Sequence, residues 1–214
     1  MSTINQGLVG GFSGKTGPVI GSSWKGRPIM RARPMFKKNR KFSQNQLDQQ
    51  EKFKLMSAFI NNLAELLMVS FHGMGNEQTG LNAALSYNLR EAIDGLGSPF
   101  AIDYSKVRLS QGTIALATRL VVTAPGANIV ECTWEYDPNV AKTAASDKIA
   151  IVLFSETMGQ FILVKDAAAR SAMELSVNAG IFTGETVHCW LLFLSEDETR
   201  SSNSFYAGTV NIEA

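Results

Sequence analysis

Three short stretches hold residue types that could do chemistry. The first, Gly11-Phe12-Ser13-Gly14-Lys15-Thr16-Gly17, ends in the Gly-Lys-Thr of a phosphate-cradling loop. The comparison fails on spacing and context. That loop needs a glycine at position 9, which is valine; it needs a strand before it; and it needs a helix after it, which Gly17-Pro18 blocks. The second, His188-Cys189, sets a base beside a thiol, the ingredients of nucleophilic catalysis, but adjacent residues on a strand point to opposite faces and form no dyad. His72, at a helix end, is the one other histidine, and no Cys, Asp or Glu cluster stands near either at ligand spacing, so no metal site is expected. The third is Trp24-Lys25-Gly26-Arg27-Pro28 with Arg31-Ala32-Arg33-Pro34. Interleaved aromatics and cations suit gripping a phosphate backbone and stacking a base. They equally suit an arm on a sheet edge, with Arg and Lys alternating outward while Trp24, Ile29 and Met35 dock inward.

The remaining reactive groups read as structure. Cys132 and Cys189 lie in apolar strand-like runs where a thiol behaves as a small hydrophobe, and two cysteines are too few for a disulfide scaffold. Glu196-Asp197-Glu198 falls at an expected hairpin tip, a solvated position. With no catalytic constellation, the chain is expected to be no enzyme and to carry no cofactor.

Charge divides the chain sharply. Residues 1–41 carry nine basic groups (Lys15, Lys25, Arg27, Arg31, Arg33, Lys37, Lys38, Arg40 and Lys41) and no acid, whereas the other 173 residues carry eleven basic and nineteen acidic groups. A +9 leader on a −8 body implies that the leader meets something negative: nucleic acid, a membrane surface or an acidic protein. The longest apolar clusters, such as residues 190–194, are strand-sized, so no segment is expected to span a bilayer. The chain as written starts with neither the basic region nor the apolar run of a classical signal peptide, and its compartment is left open.

The elements that must position these residues follow from periodicity. Seven glycines and three prolines in the first forty residues exclude a helix there, yet Phe12, Trp24, Ile29 and other apolar anchors punctuate the stretch. Residues 1–41 are therefore expected as an extended, Gly-rich basic arm. Residues 42–97 read as a helical segment. A long helix over 43–72 carries Leu47, Phe53, Met56, Phe59, Ile60, Leu63, Leu66, Leu67 and Phe71 on one stripe, and Gly73 stops it. A turn over 73–80 leads to a shorter helix over 80–94 with Leu81, Leu85, Leu89 and Ile93 along one side. Residues 98–214 read as β: short runs at 100–109, 113–123, 129–136, 148–154, 160–164, 172–177, 186–194 and 205–212, separated by turn residues. The fold class is α+β, an arm and helical hairpin followed by an antiparallel β-sandwich.

In pattern the β half resembles a fibronectin type III or immunoglobulin-like sandwich. Thr133-Trp134-Glu135 resembles the second strand with its core tryptophan, residues 147–154 the next strand, residues 182–190 the turn and penultimate strand, and residues 201–212 the last. Trp134 follows Cys132 by two residues rather than the dozen or so of antibody domains. Over essentially its full length the chain also resembles an uncharacterised Bacteroidota family, a domain of unknown function. That likeness rests on GFSGKTGPVIGSSWKGRPIMRARP, FSQNQLDQQEKF and GETVHCWLLFLSEDETRSSNSFYAGTV. It implies no activity, substrate, cofactor or catalytic residue.

The expected function is non-catalytic: a structural, self-assembling protein whose arm, through Phe12, Trp24, Lys25, Arg27, Arg31, Arg33, Lys37, Lys38, Arg40 and Lys41, docks on an acidic protein surface. A neighbouring copy, and hence a homo-oligomer, is the first choice of partner, and nucleic acid held through phosphates is the alternative. The sequence leaves open whether the arm packs on its own chain or on a neighbour.

Overall fold

Where glycines fall in the leader decides its local structure. A computed structural model describes residues 2–3, 12–24, 26–35, 41–71 and 78–213. The chain divides into two compact units, Met1–Gln44 and Asn45–Ala214. In the first, strands β1 (Ser2–Thr3), β2 (Gly14–Thr16), β3 (Val19–Trp24) and β4 (Arg27–Ala32) pair antiparallel in the order β1-β4-β3-β2. Gly17-Pro18 turns β2 into β3, and a two-residue tip ending in Gly26 turns β3 into β4. Gly17 and Gly26 hold φ at +57° and +76°, values that a Cβ makes costly. The expected arm is thus extended in backbone but folds back on itself as a small sheet.

The second unit is built in three layers. Helices α1 (Gln44–Asn61), α2 (Ala64–Ser70) and α3 (Gly80–Glu91) come first, then a short pair of strands, β5 (Ile93–Asp94) and β6 (Ala101–Ile102). Seven strands follow: β7 (Thr118–Gly126), β8 (Ile129–Glu135), β9 (Lys148–Ser155), β10 (Gln160–Ala169), β11 (Glu174–Asn178), β12 (Thr186–Leu194) and β13 (Phe205–Asn211). They form an antiparallel sandwich of a three-stranded sheet, β11-β8-β7, and a four-stranded sheet, β10-β9-β12-β13. The fourth strand pairs with the third rather than joining the first sheet, as it does in constant-type immunoglobulin domains, so the split is the fibronectin-like one.

Alternation along β9 and β12 separates two cores. Ile149, Ile151, Leu153, Val187, Cys189, Leu191 and Phe193 point into the sandwich against Val130, Cys132, Trp134 and Val177. Ala150, Val152, Phe154, Trp190, Leu192 and Leu194 point out of it, against Met56, Phe59, Ile60, Leu63, Leu66 and Leu67 of the helices. Covered on both faces, these strands read as unbroken apolar runs, while half-wet β8 alternates strictly.

Several expected boundaries moved for identifiable reasons. The single helix over 43–72 is two helices, because the chain turns at Asn62-Leu63, where the Asn62 side-chain amide donates to the Ala58 carbonyl at 2.9 Å. The break keeps Ile60, Leu63, Leu66 and Leu67 all buried, a wider arc than one straight stripe covers. Leu47 and Phe53, expected on that stripe, are 45% and 50% exposed. Gly73 and most of the 73–80 turn lie outside the described residues. The second helix ends at Glu91 rather than 94, with Thr79 as its cap accepting from Asn82 N–H. The strand expected over 100–109 is only β6. Side chains, not a ladder, satisfy the backbone beyond it: Ser204 Oγ accepts from Leu109 N–H at 2.9 Å and Ser70 Oγ donates to Leu109 C=O at 2.7 Å.

One end of the sandwich is closed by charge. Arg170 Nε lies 3.2 Å from Asp147 Oδ2, near enough to pair though not aligned as a hydrogen bond, with both side chains 2% exposed. Arg170 Nη2 donates to Ala115 C=O at 2.9 Å, and the guanidinium lies 3.9 Å over the Phe193 ring. Trp134 Nε1 donates to Arg170 C=O at 2.7 Å, tying the core tryptophan to the same corner. Near the same end a seam of serines joins helix to loop: Ser201 Oγ donates to Ser70 C=O at 2.7 Å.

Candidate functional site

The cations of the leader are sorted by strand register. Residues directly opposite in an antiparallel ladder share a face. The partners Lys15↔Ile20, Ile20↔Arg31, Ser22↔Ile29 and Trp24↔Arg27 put Lys15, Trp24, Arg27 and Arg31 on one side of the sheet. Arg33 N–H donates to Pro18 C=O at 2.7 Å, which continues the same register and brings Arg33 to that side. Among the described residues the opposite side carries Val19, Gly21, Met30 and Ala32 and no charge. Phe12 belongs there, since a Cβ on Gly21 would lie 2.7 Å from the Phe12 ring. Only glycine admits that approach.

This corrects one expectation. Trp24 and Ile29 do not dock inward behind outward arginines; they share the arginines' face, and Trp24 is 54% exposed. The two-residue turns fix the parity, because each hairpin pairs residues equidistant from its tip. The sequence reading also left Lys15 out of the site, although counting back across Gly17-Pro18 gives its partner Ile20 directly. Among the expected site residues, Lys25, Lys37, Lys38 and Arg40 lie outside the described residues, and Lys41 is exposed ahead of α1.

The body's reactive groups are occupied structurally. Burial pushes the thiols of Cys132 and Cys189 up to about 12, and both are free cysteines within the sandwich core. Asp197 is pulled to about 2 by hydrogen bonds from Ser195 and Thr199 at the hairpin tip. His188 lies on the face opposite Cys189, its ring 4.3 Å from that of Tyr104 and its Nδ1 2.8 Å from Tyr206 Oη. A bulge between Cys189 and Trp190, with Gly208 at φ +93°, slips β13 by one residue so that Tyr206 faces this side. His72 lies outside the described residues, and among those described no group of three His, Cys, Asp or Glu could hold a metal ion.

Burial lowers the His188 pKa, against a smaller opposing pull from Glu156. The folded state then binds fewer protons than the unfolded chain, so this histidine's stability is present above its unfolded value and lost as pH falls below about 6.5. Urea midpoints measured from neutral to mildly acid pH are expected to fall less steeply for His188→Gln than for the unaltered chain. Equal slopes would mean that His188 titrates as it does in the unfolded state.

A family of unknown function, DUF6266, matches residues 11–208. The chain belongs to that family. The match begins one residue before Phe12 and closes inside β13, so the DUF6266 region takes in most of the leader sheet, the helices and nearly all of the sandwich. Among solved structures, an fn3 domain of human collagen alpha-1(XX) chain is similar at 8% identity and TM-score 0.34, over 49% of this chain and 93% of that one. The chicken CNTN1 FN1–FN3 domains are similar at 10% identity and TM-score 0.31, over 47% of this chain and 32% of that one. No curated protein matches the sequence.

Proposed function

We propose that this DUF6266 chain is a non-catalytic assembly protein whose leader sheet docks, cationic face first, on the acidic body of a neighbouring copy. One observation carries the reading: Lys15, Arg27, Arg31, Arg33 and Trp24 share a face within a stretch of 41 residues that has no acid. Such a face gains from a negative surface offering apolar contact for the indole, and arginine forks suit carboxylates.

The body offers a matching surface. The outward side of β11-β8-β7 carries Glu131, Glu135 and Glu174, with Arg119 paired to Glu135 at 2.6 Å and Val121 half exposed among threonines and serines. A basic face on one copy and an acidic wall on the next make a head-to-tail contact, which closes into a ring or runs on as a filament.

Light scattering across concentration and salt tests this. The intact protein is expected to associate at low salt and weaken as salt rises. Arg27→Glu with Arg31→Glu is expected to loosen association by about two orders of magnitude, since like charges meeting at an interface cost several kcal/mol. An intact chain that stays monomeric throughout overturns the reading.

A second reading has its own support. Trp24 directly across the ladder from Arg27 is an arrangement suited to stacking a base while holding its phosphate. Labelled single-stranded and double-stranded DNA titrated onto the intact protein separates the two: binding that falls steeply with salt favours nucleic acid, and no affinity at low salt removes it.

A further inference from the structure

Away from the leader, an open pocket of about 230 Å³ lies where α3, the connector after β6 and the start of β13 meet. It is smaller than the roughly 300 Å³ at which sites for drug-sized ligands begin. Its most prepared group is Arg108. The buried Asn88 side chain clamps that residue at both backbone groups, accepting from Arg108 N–H at 2.8 Å and donating to Arg108 C=O at 2.8 Å. The guanidinium lies 4.3 Å from the centre of the Tyr87 ring, which holds the fork flat. Among the described residues Arg108 has no acidic partner within ion-pairing distance, whereas the neighbouring cation Lys106 is taken by Asp103 at 2.8 Å.

The rest of the lining is suited to a small polar guest. Ser204 Oγ already accepts from Leu109 N–H, so its own proton is left to donate inward. Tyr206 supplies a second aromatic wall, fixed by its contact with His188. Glu91 is the acidic residue of the lining and opposes an anion, which limits the charge the pocket accepts.

We propose that this pocket binds a small oxyanion, a carboxylate or a phosphate group, on the Arg108 fork, with the Ser204 hydroxyl as a second donor. A guanidinium already immobilised at its backbone and its plane loses little freedom on binding, which is what lets a shallow site hold so small a ligand.

The test is an amide-resolved NMR titration of the full chain with inorganic phosphate and, separately, acetate, at constant ionic strength with chloride as the balancing anion. Saturable shifts are expected at the amides of residues 105–109 and 204–206. Saturation by acetate alone assigns a carboxylate ligand, and saturation by phosphate alone a phosphate; both support the site. Arg108→Gln is expected to weaken binding at least about tenfold, since a charge-assisted bidentate contact is lost. Glu91→Gln is expected to strengthen it, and a spectrum unchanged elsewhere certifies each variant's fold. Shifts that never saturate with either anion, or an Arg108→Gln variant that binds as the intact chain does, overturn the proposal.

Discussion

Asp147→Ala is expected to lower the unfolding free energy by about 3–5 kcal/mol, because it strands the Arg170 guanidinium in the sandwich without a counter-charge. Burial already pulls the Arg170 pKa down while Asp147 pushes it back up, so the arginine's charge leans on this carboxylate. After the substitution its remaining partners are the Ala115 carbonyl and the Phe193 ring, neither of which carries charge. The carboxylate also accepts from Ala144 N–H at 2.9 Å, so the turn before β9 loosens as well. Urea denaturation followed by tryptophan fluorescence measures the loss, with Trp134 reporting because it bonds the Arg170 carbonyl. Asp147→Leu combined with Arg170→Met removes both charges and is expected to recover most of the stability, since a buried pair against an apolar replacement is often near neutral. A loss below about 1 kcal/mol for Asp147→Ala alone would show that water reaches the guanidinium.

Phe59→Ala is expected to cost a similar 3–5 kcal/mol and to act on the whole Asn45–Ala214 unit at once. The Phe59 ring packs edge-on against Phe154 and Phe161, each at 5.2 Å, and against Trp190 at 6.2 Å. It therefore joins α1 to three strands of the four-stranded sheet. Phe53, two turns earlier on the same helix and half exposed, serves as the control, and its alanine variant is expected to stay within about 0.5 kcal/mol of the intact chain. Helix content by circular dichroism and tryptophan fluorescence should fall together in a single urea transition that Phe59→Ala shifts to lower concentration. A helical signal lost in a separate, earlier step would contradict a shared core.

The sequence carried the sandwich well and the helical layer only partly. Strand β12 was legible to the residue, and Trp134 takes the core position its pattern suggested, because β-branched and aromatic runs between turn residues depend on local spacing. The unbroken apolar stretch of β9 already signalled that its sheet is covered on both faces, a clue that alternation elsewhere in the sandwich obscured. Leu81, Leu85 and Leu89 of α3, and Ile93 just beyond it in β5, are only part buried; the buried residues are Ala83, Ala84 and Asn88 of α3 and Ala92 at its end. Small residues let that helix approach closely, and the buried Asn88 side chain bonds its own helix at the Ala84 carbonyl and also a backbone segment twenty residues away. Nothing local in the sequence marks such a partner. The leader's composition gave its charge correctly, but which anchors accompany the cations depended on turn length, and two-residue tips reverse the parity expected of a single extended run.

The helical roof on β10-β9-β12-β13 has a topographic consequence. A sandwich of this kind carries two broad strand surfaces, and when both are wet the module can be transplanted or strung in tandem like a bead. Here Val152, Phe154, Trp190 and Leu192 would be laid bare if the stretch before them were cut away. The bead is therefore not detachable, and among the described residues the flat strand surface left open to a visitor on this unit is the one formed by β11, β8 and β7.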